Sequence, residues 1–286
     1  MNPETELSPE YVEARRVLLD ALEALGPQRS AVVLAGAQAV YQRTGPSALP
    51  ISEYTTDGDL AVDPKLLEDA PPLGDLMTAA GFELARFQDA EEPGIWLAAA
   101  EVNDRKVTIP VDLIVPSGVA PAGGTRGARL GAHGKRAARK SVGLEAALID
   151  NDAMSIAALD PADRRTSQVR VAGIAALLVA KIHKLDDRVK EGRDDRLDDK
   201  DASDLLRLLQ TSSPPTVAST LAMLLEHADA GPPTERALDR FRVLFGGRAG
   251  IGIEMAARAL RGAMPEERVR AICLAYSGEL FEALNR

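Results

Sequence analysis

The segment TTDGDLAVD, residues 55–63, decides the fold that the sequence predicts. Its apolar residues predict a β-strand, in which Asp57 and Asp59 stand two positions apart. Because side chains alternate along a strand, both carboxylates project from the same face. Two like charges this close repel each other unless a cation lies between them. The segment therefore predicts a strand with a cation site, and an exposed strand or turn that binds nothing is the alternative.

A third carboxylate, Asp112, lies in a second predicted strand, TIPVDLIVP, with apolar residues on both sides. A carboxylate in such a run is costly to bury alone, which indicates a cation or a partner nearby. If the two strands are neighbours, three carboxylates meet at one place. Magnesium takes one or two carboxylates together with phosphates and water, and such a triad suits phosphoryl or nucleotidyl transfer.

The surrounding sequence predicts a mixed sheet with helices. The apolar run at residues 31–34 predicts a buried strand, and Gly36 follows it at a strand-to-helix turn whose backbone can approach phosphates. Asn103 and Asp104 predict the turn of a hairpin between strands at 95–102 and 106–115. Further strand-like pieces occur at residues 146–149, 153–158 and 168–171.

From Gly173 onwards the apolar spacing is helical. We therefore predict an α+β fold, with a mixed α/β domain, built on a mixed sheet, at residues 1–171 and a helical domain at residues 172–286.

Composition limits the classes of function. The 286 residues carry a net charge of −9 and a single cysteine, Cys273, which excludes an internal disulfide framework and a cysteine-rich zinc site. No secretory signal begins the sequence, and no apolar run reaches the roughly 18 residues of a membrane span. We expect a cytoplasmic protein with no membrane association.

The charge is unevenly distributed, because residues 113–144 contain no Asp or Glu and six basic residues. Their two interpretations are a solvated, mobile surface loop and a phosphate-binding patch that guides an RNA acceptor or a triphosphate. The six residues are Arg126, Arg129, Lys135, Arg136, Arg139 and Lys140.

Two motifs stand out in the helical half. The run LLVAKIHKL contains Lys181 and Lys184, and KDASDLLRLL contains Asp201 and Asp204 at a spacing that puts both on one helical face. An acid-rich connector lies between them. The alternative interpretations are a snorkelling surface lysine and a capping or surface pair of aspartates.

The order of these motifs resembles the polymerase-β-like nucleotidyltransferase superfamily, and within it the AbiEii/MenT group of toxin nucleotidyltransferases. The likeness runs from LAGAQAVYQRTG through TTDGDLAVD and VDLIVP to the lysine helix and the KDASDLL segment, about residues 30–210. It implies that Asp57 and Asp59 bind Mg²⁺ and that Asp112 is a further ligand or the base for the attacking hydroxyl.

The resemblance also implies that Lys181, or its competitor Lys184, neutralises the triphosphate, and that Asp201 or Asp204 orients this lysine or the base. The implied nucleotide-binding positions are Gly36, Ala37, Thr56, Lys181 and Lys184.

The resemblance implies an enzyme that transfers a nucleoside monophosphate from an NTP to an acceptor hydroxyl, with tRNA as the favoured acceptor and a cognate antitoxin as partner. One alternative is the same chemistry on a small molecule such as an aminoglycoside. A second alternative is a non-catalytic relative that acts as a binding protein.

Overall fold

The structure is a computed structural model that describes residues 7–45, 49, 53–191 and 199–285. The first residues of the chain and positions 192–198 of the acid-rich connector lie outside the described residues. Among the residues described, no helix is both long enough and apolar enough to cross a membrane.

The first described helix begins where its capping residues predict. In α1 (Pro9–Ala24) the side chain of Ser8 caps the first turn by accepting a hydrogen bond from the backbone N–H of Tyr11, and proline occupies the first helical position. A short 3-10 helix, Gly26–Ala31, leads into strand β1 (Val32–Ala35), and α2 (Gly36–Thr44) follows β1 directly.

Strand β1 belongs to a mixed sheet that has eight strands among the described residues. The other strands are β2 (Gly58–Val62), β3 (Glu83–Phe87), β4 (Ala90–Val102), β5 (Arg105–Pro116), β6 (Arg139–Ser141), β7 (Asn151–Ala157) and β8 (Thr166–Ala172), and α3 (Leu73–Ala79) connects β2 to β3. The order is β3-β4-β5-β2-β1-β8-β7, with β6 beside β5. Parallel pairs (β2–β5, β1–β8 and β5–β6) occur among antiparallel ones, which confirms the predicted α+β class.

The predicted strand boundaries hold in part. The β4–β5 hairpin turns at Asn103 and Asp104, and both residues adopt the left-handed conformation that these residue types tolerate. Residues 146–149, which we expected to be extended, instead form a 3-10 turn over Ala146–Leu148. Strand β2 starts at Gly58, so that Asp57 lies just before the strand rather than inside it.

The basic segment 126–140 is not a free loop. The backbone N–H of Lys140 donates to the carbonyl of Arg126 at 2.7 Å, and that of Ala128 donates to Ala138 at 2.9 Å. The indole Nε1 of Trp96, on β4, donates to the carbonyl of Ala137 at 2.9 Å. Strand β6 then continues the sheet beside β5. These hydrogen bonds anchor the segment to the sheet.

The second half of the chain is helical, as predicted. The helices are α4 (Ile174–Glu191), α5 (Asp199–Thr211), α6 (Pro214–Leu225), α7 (Gly231–Phe245), α8 (Ile251–Ala259) and α9 (Glu266–Leu284). Phe241 and Phe245 stack with ring centroids 5.1 Å apart, and Phe241 also lies 6.0 Å from the ring of Phe281. These contacts form the core of the helical unit.

By its contacts the chain divides into two compact units. One takes its described residues from Met1–Ala39, Ser52–Ser141 and Asn151–Ala172, and the other from Val40–Ile51, Val142–Asp150 and Gly173–Arg286. This differs from the predicted division in that two short segments join the helical unit. The reason is local: the carboxylate of Asp150 accepts from the backbone N–H of Ala176 at the start of α4, and Tyr41 lies beneath the guanidinium of Arg207.

We expect Gly94→Ala to loosen the basic segment. Gly94 has φ +75°, and a Cβ there would lie 2.3 Å from the backbone nitrogen of Arg139. The variant should therefore lose stability, and trypsin should cleave the segment 126–140 faster. The matched control is Gly81→Ala, because Gly81 has φ +86° and open space around it. Equal cleavage rates in the two variants would show that the contact at Gly94 does not hold the segment.

Candidate active site

Two of the predicted carboxylates lie side by side on neighbouring strands. In the parallel pair β2–β5, Asp59 is the direct register partner of Asp112. Asp57 precedes β2, and the charges of both Asp59 and Asp57 act on Asp112. The sheet therefore brings the three predicted aspartates into one neighbourhood, as expected if the two strands are adjacent.

Gly36 makes room for one of these carboxylates. The residue has φ +64°, and a Cβ built on it would lie 1.9 Å from Oδ2 of Asp59. The side chain of Asp59 thus rests against the bare backbone at the start of α2, where any larger residue would displace it. Ala37 is buried in the next position. The phosphate contacts expected of Gly36 and Ala37 stay predictions.

Asp57 is held by residues that the sequence analysis did not single out. The hydroxyl of Thr55 donates to its carboxylate, and the amide of Gln38 donates to its backbone carbonyl at 2.9 Å. Gln38 in turn accepts a hydrogen bond of 2.7 Å from the buried guanidinium of Arg15. The sequence signal that could have found this contact is the position of Arg15 on the apolar side of α1. Thr56, a predicted nucleotide contact, is half-buried beside Asp57.

Asp112 has a cation as its partner. The guanidinium of Arg139 donates to Oδ2 of Asp112 from Nε at 3.1 Å and from Nη2 at 2.6 Å. Burial and the negative charge of Asp59 nevertheless outweigh this attraction and raise the pKa of Asp112 to about 6. Arg139, predicted as part of an acceptor-binding patch, therefore belongs to the carboxylate site.

The donor set can be compared with the needs of a metal ion. Within the described residues, no group of three or more His, Cys, Asp or Glu side chains is placed to hold a metal. Magnesium needs only one or two carboxylates when phosphates and water complete its shell. Asp59 and Asp112, as register partners in the sheet, fit this requirement, and the guanidinium of Arg139 already supplies positive charge at the same place.

Two further arginines of the basic segment form ion pairs with neighbouring glutamates, and one lysine contacts the backbone. Arg126 forms an ion pair of 2.8 Å with Glu92, Arg136 pairs with Glu91, and Lys140 donates to the carbonyl of Gly123 at 3.1 Å. The two glutamates belong to β4 and lie outside the sequence window that contained no acids. Arg129 and Lys135 are exposed, as are the ion-paired Arg126 and Arg136.

The second unit contains the other predicted cluster. Nζ of Lys181 lies 2.7 Å from Oδ1 of Asp201 and 2.7 Å from Oδ2 of Asp204, and all three residues are buried. Both Asp201 and Asp204 therefore contact Lys181. Lys184 lies 3.8 Å from Asp201, and its side chain is 47% exposed.

The charges of this cluster support one another. Burial alone would lower the pKa of Lys181, but Asp201 and Asp204 hold that pKa well above its usual value. Burial would likewise raise the pKa of Asp201, but Lys181, Lys184 and Arg188 together lower it. The interpretation of Lys181 as a snorkelling surface residue is wrong, because only 3% of the residue is exposed to solvent.

Comparisons with known proteins give no independent assignment of these clusters. No protein-family model matches the chain, and no match was found among curated proteins. The function proposed below therefore rests on the residues, their geometry and the resemblance given above.

We expect Asp112→Asn to be more stable than the parent protein at pH 7.5. The pKa of Asp112 is raised to about 6 from an ordinary value of 3.8, so the folded state loses stability as pH rises through this window. The gain of the variant should reach up to about 3 kcal/mol at pH 7.5 and shrink towards pH 4, measured by urea unfolding. Glu101→Gln, on the exposed part of β4, is the control. A gain that does not depend on pH would contradict the expectation.

We expect Lys181→Met to destabilise the protein by about 3–5 kcal/mol, because two buried carboxylates lose their counter-ion. The exposed Lys184→Met should cost less than about 1 kcal/mol. Combining Lys181→Met with Asp201→Asn and Asp204→Asn should restore part of the loss. Urea unfolding measures all three, and equal costs for the two single lysine variants would contradict the buried-cluster account.

Proposed function

We propose that this protein is a magnesium-dependent nucleotidyltransferase that transfers a nucleoside monophosphate from an NTP to the hydroxyl of an RNA acceptor. The observation that carries the proposal is the register pairing of Asp59 with Asp112 beside the glycine turn at Gly36. A strand, a glycine turn and paired carboxylates are what a site for metal-bound phosphates needs.

Each carboxylate has a distinct task in this proposal. Asp59 and Asp57 hold the cation, which when bound would neutralise the phosphates and polarise the bond to be broken. Asp112 is the further ligand or accepts the proton of the attacking hydroxyl, a role that suits a carboxyl whose pKa is raised to about 6. Gln38 and Thr55 fix the backbone and carboxylate of Asp57.

The two lysines of the second unit differ in their surroundings. Lys181 is fully engaged with two buried carboxylates and joins α4 to α5. Lys184 is the more accessible of the two. We therefore propose that Lys181 maintains the local structure of the second unit, and the phosphate role that the resemblance gives to Lys181 or Lys184 stays a prediction.

The acceptor is the less constrained part of the proposal. Arg129 and Lys135 provide exposed positive charge for RNA phosphates, and tRNA is the acceptor that the AbiEii/MenT resemblance favours. The same resemblance alone supports a toxin role, a cognate antitoxin partner and a cytoplasmic location. A small-molecule acceptor such as an aminoglycoside is the second candidate, because Glu91 and Glu92 neutralise part of the basic segment.

The test is transfer of label from each α-labelled NTP, with Mg²⁺, to total tRNA or to an aminoglycoside panel. Asp59→Asn keeps the shape that fits against Gly36 but removes the charge, and we expect at least about 100-fold slower transfer. Glu101→Gln should transfer at the parent rate. Transfer that is equally fast in Asp59→Asn would contradict the proposed metal site.

The labelled product separates the candidate acceptors. A labelled tRNA band supports the RNA acceptor, and a labelled aminoglycoside supports the small-molecule acceptor. If the parent protein labels neither acceptor and binds no NTP in the presence of Mg²⁺, the non-catalytic alternative is correct.

A further inference from the structure

The contact between Arg139 and Asp112 differs from the other ion pairs of the basic segment. Arg126 and Arg136 pair with Glu92 and Glu91 on the surface, and their side chains are 70% and 60% exposed. The side chain of Arg139 is only 29% exposed, and its partner Asp112 only 16%. Arg139 thus contacts a carboxylate of the candidate active site.

The geometry leaves part of Asp112 available. Both donors of Arg139, Nε and Nη2, bind the same oxygen, Oδ2. The guanidinium therefore acts as the counter-cation of a carboxylate whose other neighbour, Asp59, carries the same negative charge. A divalent cation bound by this pair would take over that neutralising role, and it would repel the guanidinium.

The backbone of Arg139 is fixed, whereas its side chain can exchange partners. Arg139 begins β6 in register with Ile114 of β5, and it also pairs with Gly127 across an antiparallel bridge. The backbone of Gly94 fits closely against its nitrogen. The long side chain extends from this anchor, and the planar guanidinium binds phosphate oxygens as readily as carboxylates.

We propose that Arg139 is an exchangeable counter-ion, which neutralises Asp112 in the free protein and moves to a phosphate of the NTP when a divalent cation and nucleotide bind. This inference rests on the proposed function and assigns Arg139 to the nucleotide site instead of the RNA acceptor. Arg139 opposes the binding of a divalent cation alone and favours the binding of the cation together with a triphosphate.

The two effects have opposite signs, which separates them from a structural role. Loss of the guanidinium should leave Asp112 more attractive to a divalent cation, because a positive charge a few ångströms away is removed. The same change should weaken binding of the nucleotide, because a charge-assisted phosphate contact is lost. A variant that only disturbed the fold would weaken both.

The test measures Mn²⁺ binding without nucleotide, by electron paramagnetic resonance, and then binding of a non-hydrolysable ATP or GTP analogue with Mg²⁺, by calorimetry. For Arg139→Gln we expect Mn²⁺ to bind about fivefold more tightly and the analogue about tenfold more weakly. Arg139→Lys keeps the charge and loses the planar fork, so its Mn²⁺ affinity should stay near the parent value while the analogue binds more weakly.

Arg105→Gln removes an exposed cation at the start of β5 instead, and both affinities should stay unchanged. Circular dichroism checks that each variant is folded. If the parent binds Mn²⁺ through Asp59, and Arg139→Gln changes neither affinity or weakens both, the inference is wrong while the proposed function stands. If Asp59→Asn binds both Mn²⁺ and the analogue with Mg²⁺ as tightly as the parent does, the candidate site binds neither, and the proposed function and this inference fail together.

Discussion

Like charges in adjacent strands are the constraint on which the first unit depends. The parallel pairing of β2 with β5 places Asp59 directly opposite Asp112, and this repulsion has to be compensated. Gly36 gives the carboxylate of Asp59 a place against bare backbone, and Arg139 supplies positive charge to Asp112. Burial, together with the negative charge of Asp59, raises the pKa of Asp112 to about 6 despite the contact with Arg139.

In the second unit, buried like charges are compensated more completely. Lys181 lies between two buried carboxylates at 2.7 Å from each, and Arg188 and Lys184 add positive charge around Asp201. Each charge there has a partner, which is the condition under which buried ionic groups are tolerated. The two clusters differ in how far their carboxylates are neutralised. The cluster of the second unit is saturated and holds α4 against α5, whereas in the first unit Asp59 and Asp112 are register partners and Arg139 contacts Asp112.

Much of the fold could be predicted because it is encoded locally. Ser8 and Pro9 define the start of α1, and Asn103 with Asp104 defines the β4–β5 turn, since each depends on the conformational preferences of one or two residues. Local signals failed at residues 146–149. Four apolar residues suit a strand or a short helical turn equally well, and packing decides between them.

The candidate site was predictable as a set of residue types but not as a set of contacts. Asp57, Asp59 and Asp112 stand out because carboxylates in apolar runs are costly. Gln38 and Arg15 do not stand out, because their importance lies in hydrogen bonds to a backbone carbonyl and to each other. Arg139 was recognised as a cation, but its partner lies 27 positions away in the sequence.

The sequence by itself determined the elements, the α+β class and the identity of the acidic residues, because strand alternation, helix capping and the cost of isolated charges act over a few neighbouring positions. Only the tertiary structure decided which charges meet. A window without acids, residues 113–144, looked like a free basic patch. The sheet instead places Glu91, Glu92 and Asp112 against its arginines. Electrostatic energy depends on distance in space, and the pairing of strands sets that distance.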